Sequence, residues 1–237
     1  MNWRVAIALA VAATVAALPF TMLVPSLVGG TGSSLLGAIM VQATLFTVAA
    51  LAGVLTGPAG KLGAPVLDAW FAGRPVDLRP VAWSAVAGGI LGVAAALFVV
   101  LRYAPAEAAA AGRDIALPGW AGVALALYGG FGEELLYRFG MMSALVWMIA
   151  NLRRLVHSWS AVPSESLPAW GGIVIGALIF GMIHVGYGPG SAVEQVGLRV
   201  GAGIFFGWLY WKRGIESAIA AHLLYDLILI HAIILVA

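Results

Sequence analysis

The stretch that decides the fold is the apolar segment 119–151, which holds charges near its centre in the run Gly132-Glu-Glu-Leu-Leu-Tyr-Arg-Phe-Gly140. Glu133, Glu134 and Arg138 would each cost roughly 2.5–3.5 kcal/mol at the middle of a membrane-spanning helix. Residues of this kind normally face the interior of a helical bundle, pair with one another and mark a functional site. The run therefore predicts a polar cluster enclosed by membrane helices.

The composition of the whole chain agrees with a membrane location. The chain has 237 residues, of which 62% are hydrophobic and 9% are charged, whereas about 25% of the residues of a soluble domain are charged. Several apolar runs reach the roughly 20 residues that a helix needs to cross a bilayer. The alternating ten-residue pattern of an outer-membrane barrel is missing. We predict an all-α, polytopic transmembrane helical bundle that forms a single membrane domain over residues 1–237.

Seven apolar segments predict about seven helices, and eight are the alternative. The segments lie at 5–28, 34–57, 80–101, 119–151, 169–185, 194–211 and 214–236. The fourth is too long for a simple crossing, so it is either one tilted helix or two pieces broken near Arg138 to Gly140. Residues 1–118 supply three helices without a motif, while residues 119–237 contain the polar motifs.

The positions of the basic residues predict the orientation in the membrane. With the N-terminus inside, only Arg102 and Arg113 lie outside, and eight basic residues lie inside: Arg4, Lys61, Arg74, Arg79, Arg153, Arg154, Lys212 and Arg213. Basic residues are enriched in cytoplasmic loops, so the pattern favours an N-terminus inside and a C-terminus outside. The first segment could instead be a secretory signal, although its apolar character continues to Val28.

Several classes of site and partner are excluded or disfavoured. The chain has no cysteine, so disulfides, thiolate nucleophiles and cysteine-based metal sites are excluded. The net charge of +2 is explained by the orientation, so we expect no nucleic acid partner. Glycines spaced four apart predict close helix packing, at Gly53/Gly57, Gly88/Gly92, Gly172/Gly176, Gly197/Gly201 and Gly203/Gly207.

Two further polar elements occur in apolar segments. Phe180-Gly-Met-Ile-His184 ends the fifth segment, and His222-Leu-Leu-Tyr-Asp226 lies in the last one. Each could be structural when considered alone. Hydrolysis of an amide needs a base for the attacking water, a proton donor for the leaving amine, and donors for the oxyanion. One glutamate and two histidines on three helices supply all three functions.

The three elements in order resemble the CAAX-processing and bacteriocin-processing (Abi) intramembrane endopeptidases. The pattern of that family is Glu-Glu-x-x-x-Arg, then Phe-x-x-x-His, then His-x-x-x-Asn/Asp, on successive membrane helices. The resemblance covers about residues 119–236. It implies an enzyme that hydrolyses a peptide bond near the membrane boundary of a membrane-associated or lipid-anchored protein or peptide.

The resemblance also implies a role for each matched residue. Glu133 and His184 are expected to activate the water, and His222 and Asp226 to bind or polarise the scissile carbonyl. Glu134 and Arg138 are expected to orient them, and Phe180 to contact the substrate. With Glu134, Arg138 and Phe180 the candidate site has seven residues.

Metal dependence is left open by the sequence. Glu133, His184 and His222, with Asp226 in support, could form a catalytic zinc site with an open position. A glutamate-activated water without metal is the alternative. An ionised Asp226 cannot donate a hydrogen bond to an oxyanion as asparagine could, so Asp226 could orient His222, ligate a metal or be protonated.

Two other functions are compatible with polar residues at membrane depth. One is a non-catalytic immunity or chaperone protein that binds a peptide terminus, and the other is a transporter that uses Glu133 and Glu134 as proton carriers. The transporter is disfavoured because no internal repeat is evident. Arg199 is expected to snorkel or to pair with Glu194, and pairing with the active-site region is the alternative. A small, entirely membrane-embedded chain suggests a bacterial cytoplasmic membrane.

Overall fold

The computed structural model describes residues 2–28, 34–109, 119–156, 166–186 and 190–236, and these residues contain helices and no strand. The α-helices are α1 (Trp3–Val28), α2 (Leu35–Thr56), α3 (Pro65–Phe71), α4 (Arg79–Ala109), α5 (Ala121–Leu127), α6 (Ser143–Val156), α7 (Ser166–Ile183), α8 (Ala192–Arg213) and α9 (Ile215–Val236). A 3₁₀ turn (Gly57–Gly60) follows α2, and a π-helical segment (Tyr128–Met142) lies between α5 and α6. The all-α prediction is confirmed.

The long fourth segment is one continuous helix. The residues at both junctions of the π-helical segment, Leu127 and Ser143, have right-handed helical backbone angles, so α5, the π segment and α6 follow one another without a break. Of the two predicted arrangements, the single helix is correct and the break near Arg138 is not present. The apolar part is 35 residues long, or roughly 50 Å at the rise of an α-helix, so this helix must tilt or extend beyond the hydrocarbon.

Six helices of the described residues are long and apolar enough to cross a membrane, which makes the chain an integral membrane protein. They cover 3–23, 35–60, 79–103, 121–155, 166–183 and 215–233. The predicted sixth segment, 194–211, forms α8, which is 22 residues long but is not among these six. Its first turns contain Glu194, Gln195 and Arg199. One of these polar side chains, that of Gln195, is buried inside the bundle.

The outward faces of the bundle are apolar. Large hydrophobic side chains are well exposed along several helices, among them Leu36, Leu55, Ile90 and Leu101. Such extensive apolar exposure is expected of a surface that faces lipid. Of the two basic residues predicted outside, Arg102 lies on α4 and Arg113 is outside the described residues.

Two glycines let α4 pack directly on the backbone of α9. A Cβ on Gly88 would lie 2.5 Å from the Cα of Ala221, and a Cβ on Gly92 would lie 2.9 Å from the carbonyl oxygen of Tyr225. The predicted packing role of this pair is therefore confirmed. The prediction is wrong for Gly197 and Gly201, where a Cβ would meet nothing within 4 Å among the described residues.

We predict that Gly88→Ala lowers the free energy of unfolding by about 1–3 kcal/mol, because the added methyl group has no room against the α9 backbone. Gly201→Ala is the matched control. Its Cβ enters open space, and alanine favours a helix, so its stability should be unchanged or slightly higher. Thermal unfolding of both variants in detergent, followed by circular dichroism, measures the difference. Equal stability of the two variants would contradict close packing of α4 on α9.

Candidate active site

Three elements bring the predicted polar residues together, and Glu133 is at the centre. Glu133 lies in the π segment, His184 directly follows α7, and His222 is the eighth residue of α9. The Oε1 atom of Glu133 lies 3.3 Å from Nε2 of His184, and its Oε2 lies 4.0 Å from Nε2 of His222. Residues from three distant parts of the sequence therefore meet within direct or water-bridged contact.

Glu134 links the π segment to α9. Its Oε1 lies 3.2 Å from Nη1 of Arg138 and accepts a hydrogen bond of 2.7 Å from Nδ1 of His222. The pairing of Glu134 with Arg138 four residues later was expected from the sequence, but the bond to His222 was not. A carboxylate can only accept, so the hydrogen on Nδ1 of His222 points to Glu134 and Nε2 points towards Glu133.

His184 has the same arrangement of ring nitrogens. Its Nδ1 lies 2.7 Å from the carbonyl oxygen of Phe180, four residues earlier on α7. A carbonyl also can only accept, so Nδ1 of His184 donates and Nε2 faces Glu133. Both histidines thus present the same nitrogen to one carboxylate.

Asp226 completes the surroundings of His222. Its Oδ2 lies 3.3 Å from Nε2 of His222, so an ionised Asp226 accepts a hydrogen bond from a protonated His222. The carboxylate also lies against the π segment, where a Cβ on Gly129 would overlap Oδ2 of Asp226 and approach Nε2 of His222 to 3.4 Å. Glycine at position 129 is required by this close approach.

The side-chain exposures divide the cluster into two groups. Glu134, Arg138 and His222 are at most 4% exposed, while Glu133, His184 and Asp226 are 16%, 21% and 15% exposed. The second group is the more open to a water molecule or a substrate, and Nε2 of His222 reaches this group from the buried side. The buried group is suited to hold the other residues in position.

Aromatic rings enclose the buried group. The guanidinium carbon of Arg138 lies 4.5 Å from the ring centre of Phe180 and 5.5 Å from that of Phe206. A cation between two ring faces is stabilised electrostatically where water is excluded. Phe206 also stacks on His222, with ring centres 4.4 Å apart, and Phe180 lies 4.5 Å from His184. Phe180 is 5% exposed, and it separates Arg138 from the exposed part of the cluster.

Gln195 supports the turn after α7, and sequence reasoning missed it. The side chain accepts a 2.8 Å hydrogen bond from the backbone N–H of Gly186 and donates one of 2.9 Å to the carbonyl of Gly190. Irregular backbone at membrane depth needs such partners. Both glycines have positive φ angles, of 95° and 92°, which favour glycine. The signal in the sequence was a glutamine in an apolar segment.

The active-site region is favoured over Glu194 as the partner of Arg199, because Arg199 interacts electrostatically with Glu133 and Asp226. Glu194 instead lies 3.4 Å from Nε of Arg102 and forms a capping box with Ser191 at the start of α8. Nη1 of Arg199 donates to the carbonyl of Gln195. The N-terminal position of Glu194 explains the difference, because a capping box turns its side chain back towards the preceding residues.

The donor atoms partly fit a zinc ion. In both histidines Nδ1 donates a hydrogen bond to an acceptor, as it normally does in histidine ligands of a metal. However, among the described residues no three side chains of His, Asp or Glu are arranged so that they could hold a metal ion. The zinc alternative from the sequence stays a prediction, and no chemical step is derived through a metal.

One comparison with known proteins finds a match, and it covers the part of the chain that contains this cluster. Residues 115–228 match the model of the family described as type II CAAX prenyl endopeptidase Rce1-like. No curated protein and no solved structure matches the chain. The matched residues include Glu133, Glu134, Arg138, His184, His222 and Asp226. Residues 115–228 are thus similar to the Rce1-like family of CAAX proteases, in agreement with the resemblance seen in the sequence.

Proposed function

We propose that the chain is an intramembrane endopeptidase in which Glu133 and His184 activate a water molecule for attack on a peptide bond. The family supports a CAAX-type protease of the membrane. The single observation that supports the proposed chemistry is the position of Glu133, with Nε2 of His184 at 3.3 Å and Nε2 of His222 at 4.0 Å from its two oxygens. A carboxylate between two imidazoles is suited to take a proton from water.

The hydrolysis then proceeds in two steps. Glu133 accepts a proton from the water while the water oxygen bonds to the carbonyl carbon of the substrate. A hydrogen on Nε2 of His222 stabilises the oxyanion that forms. The carbon–nitrogen bond breaks as the proton passes from Glu133 to the leaving amine, with His184 holding the carboxyl in place. The products are a carboxylic acid and an amine, and the side chains return to their initial states.

The surrounding charges favour a protonated His222. Glu133, Glu134 and Asp226 bring three carboxylates to the site, whereas Arg138 pairs with Glu134 and Arg199 interacts with Glu133 and Asp226, so three negative charges face two permanent positive ones. Buried charges of one sign are costly unless they are paired. An imidazolium at His222 donates from Nδ1 to Glu134 and presents a second N–H at Nε2 to Asp226 or to the substrate carbonyl. Asp226 therefore serves to orient His222.

The proposal includes a class of substrate and a membrane. A cluster enclosed by membrane helices fits a membrane-associated or lipid-anchored protein or peptide, with the cleaved bond near the membrane boundary. We propose a bacterial cytoplasmic membrane, with the N-terminus of the chain inside. The support for this orientation is the distribution of the basic residues.

Zinc is the alternative source of the activated water. It would be held by Glu133, His184 and His222 with Asp226 in support, and a bound zinc ion would lower the pKa of a water ligand. The proposal uses no metal because the described side chains do not have that arrangement.

We predict that Glu133→Gln lowers cleavage at least about 100-fold while the protein still folds, because glutamine cannot accept the proton. Glu194→Gln is the matched control, since it makes the same change on α8 and glutamine preserves a capping box. Cells that lack the gene are complemented with the wild type or either variant, and membrane proteomics identifies proteins that are no longer shortened. Normal shortening by a folded Glu133→Gln variant would contradict the proposal.

We predict that Asp226→Asn retains cleavage near the wild-type level. The amide oxygen still accepts a hydrogen bond from Nε2 of His222, and the amide nitrogen adds a donor near the oxyanion. Asp226→Leu, which removes the acceptor, should lower cleavage about 100-fold because His222 loses its orientation. The two variants are compared on a substrate found in the proteomic experiment. Equal loss in both would show that the negative charge itself is required.

Removal of metal tests whether the water is activated by Glu133 or by a zinc ion. We predict that the purified protein retains its cleavage rate after treatment with a strong chelator, because Glu133 acts directly on the water. The zinc content is measured in the same samples. Loss of activity that added zinc restores would contradict the metal-free proposal while leaving the protease assignment intact.

A further inference from the structure

A cavity lies at the end of the bundle where α8 ends and where α4 and α9 begin. Its volume is about 860 Å³. Four basic residues line it: Lys61, Arg79, Lys212 and Arg213. The lining contains none of the seven residues of the candidate active site. The proposed protease chemistry therefore does not explain this concentration of positive charge.

The basic residues come from separate parts of the chain and are held in place. Lys61 follows the 3₁₀ turn, Arg79 begins α4, and Arg213 ends α8. Nη1 of Arg213 donates a 3.2 Å hydrogen bond to Ser84 on α4, which joins two of these helix ends. The ammonium group of Lys212 lies 3.4 Å from the ring centre of Trp211. A preference for basic residues on one membrane side explains their presence at these helix ends but not their convergence on one cavity.

Lys61 has an unusual backbone conformation. Its φ and ψ angles are 56° and 29°, and it is the one non-glycine residue with positive φ among the described residues. Glycine or asparagine adopts this left-handed conformation more readily than lysine. Unfavourable backbone conformations of this kind cluster at ligand sites. The presence of lysine at this position indicates that its side chain contributes to a ligand site.

Two carboxylates also line the cavity, and they reduce its charge only in part. They are Asp68 and Asp77. Oδ1 of Asp77 accepts hydrogen bonds of 3.0 Å from the backbone N–H of Arg79 and 3.2 Å from its Nε. The backbone bond from Arg79 lowers the pKa of Asp77 below its ordinary value, so Asp77 stays ionised. Four cations against two carboxylates leave a surplus of two positive charges.

Two tryptophans place the cavity at the level of the lipid headgroups. Trp83 and Trp211 line it, and Trp83, near the start of α4, is 68% exposed. Tryptophan is enriched at the boundary between hydrocarbon and water. Basic cavities between membrane helices on the cytoplasmic side bind anionic headgroups.

We propose that this cavity binds the anionic phosphate headgroup of a phospholipid from the adjacent leaflet. The phosphate lies among the ends of Lys61, Lys212 and Arg213, and the acyl chains pass along the exposed side of Trp83. The lipid is favoured over a soluble phosphate because the cavity is at the ends of membrane helices and has tryptophan in its wall.

Native mass spectrometry of the detergent-purified protein tests the proposal. Phosphatidylglycerol is titrated against phosphatidylcholine, and glycerol 3-phosphate is added as a soluble competitor. We expect phosphatidylglycerol to bind preferentially and glycerol 3-phosphate to compete only weakly. Lys61→Asn and Lys212→Gln should each weaken phosphatidylglycerol binding about fivefold, because each removes one positive charge.

Two controls separate lipid binding from stability and from general charge. Asparagine tolerates the left-handed conformation, so Lys61→Asn should unfold at the same temperature as the wild type or higher. Arg154→Gln removes an exposed charge outside the cavity and should leave lipid binding unchanged. Equal binding of the two lipids, unchanged binding in both cavity variants, or an equal loss in Arg154→Gln would overturn the proposal. Competition by glycerol 3-phosphate as strong as that by the lipid would instead assign a soluble phosphate.

Discussion

The carboxylate of Glu134 makes the contacts on which the rest of the site depends. It is fully buried and lies between Arg138, at 3.2 Å, and Nδ1 of His222, at 2.7 Å. An ionised group in apolar surroundings is tolerated only when it is paired. If α9 moved away from the π segment, the buried carboxylate of Glu134 would lose its partner on α9. The pairing therefore fixes the position of His222. Asp226 lies one turn later on the same face of α9, so the position of α9 also fixes this more exposed carboxylate.

The π-helical segment explains how α9 approaches the charged run so closely. A π-helix bonds each N–H to the fifth residue before it, and such segments are frequent at functional sites. Here the segment contains four glycines that face neighbouring helices: Gly129, Gly130, Gly132 and Gly140. A Cβ on Gly130 would lie 2.9 Å from Cβ of Leu223, and one on Gly132 would lie 2.9 Å from the ring of Phe46. Gly129 admits the carboxylate of Asp226. Small residues and a wide helical turn together bring the polar groups into contact.

Much of the fold and the composition of the site could be predicted from the sequence, because charges in apolar segments are rare and their cost requires them to meet. The order of the three motifs predicted which helices would converge. The sequence could not predict the π segment, since its hydrophobic pattern does not differ enough from that of an α-helix. Nor could it predict that Glu134 accepts a hydrogen bond from His222, because the rotation of α9 about its axis depends on how α9 packs against Gly88 and Gly92 of α4. Spacing along single helices predicts pairs four residues apart, while contacts between helices depend on packing.

The exposed groups lie beside a helix end, which restricts the substrates that the site can act on. His184 immediately follows α7, and the backbone beyond it turns at Gly186, where Gln195 supplies the missing hydrogen-bond partner. A peptide bond within a helical substrate has its carbonyl bonded to an N–H four residues later, and this bond competes with the hydrogen bond that the carbonyl would accept from His222. In hydrocarbon the loss of this bond has no compensation from water. For the proposed protease, the accessible bond would therefore be one just beyond the end of a membrane helix, or one in a chain held at the membrane by a lipid, where the carbonyl is already free to accept a hydrogen bond.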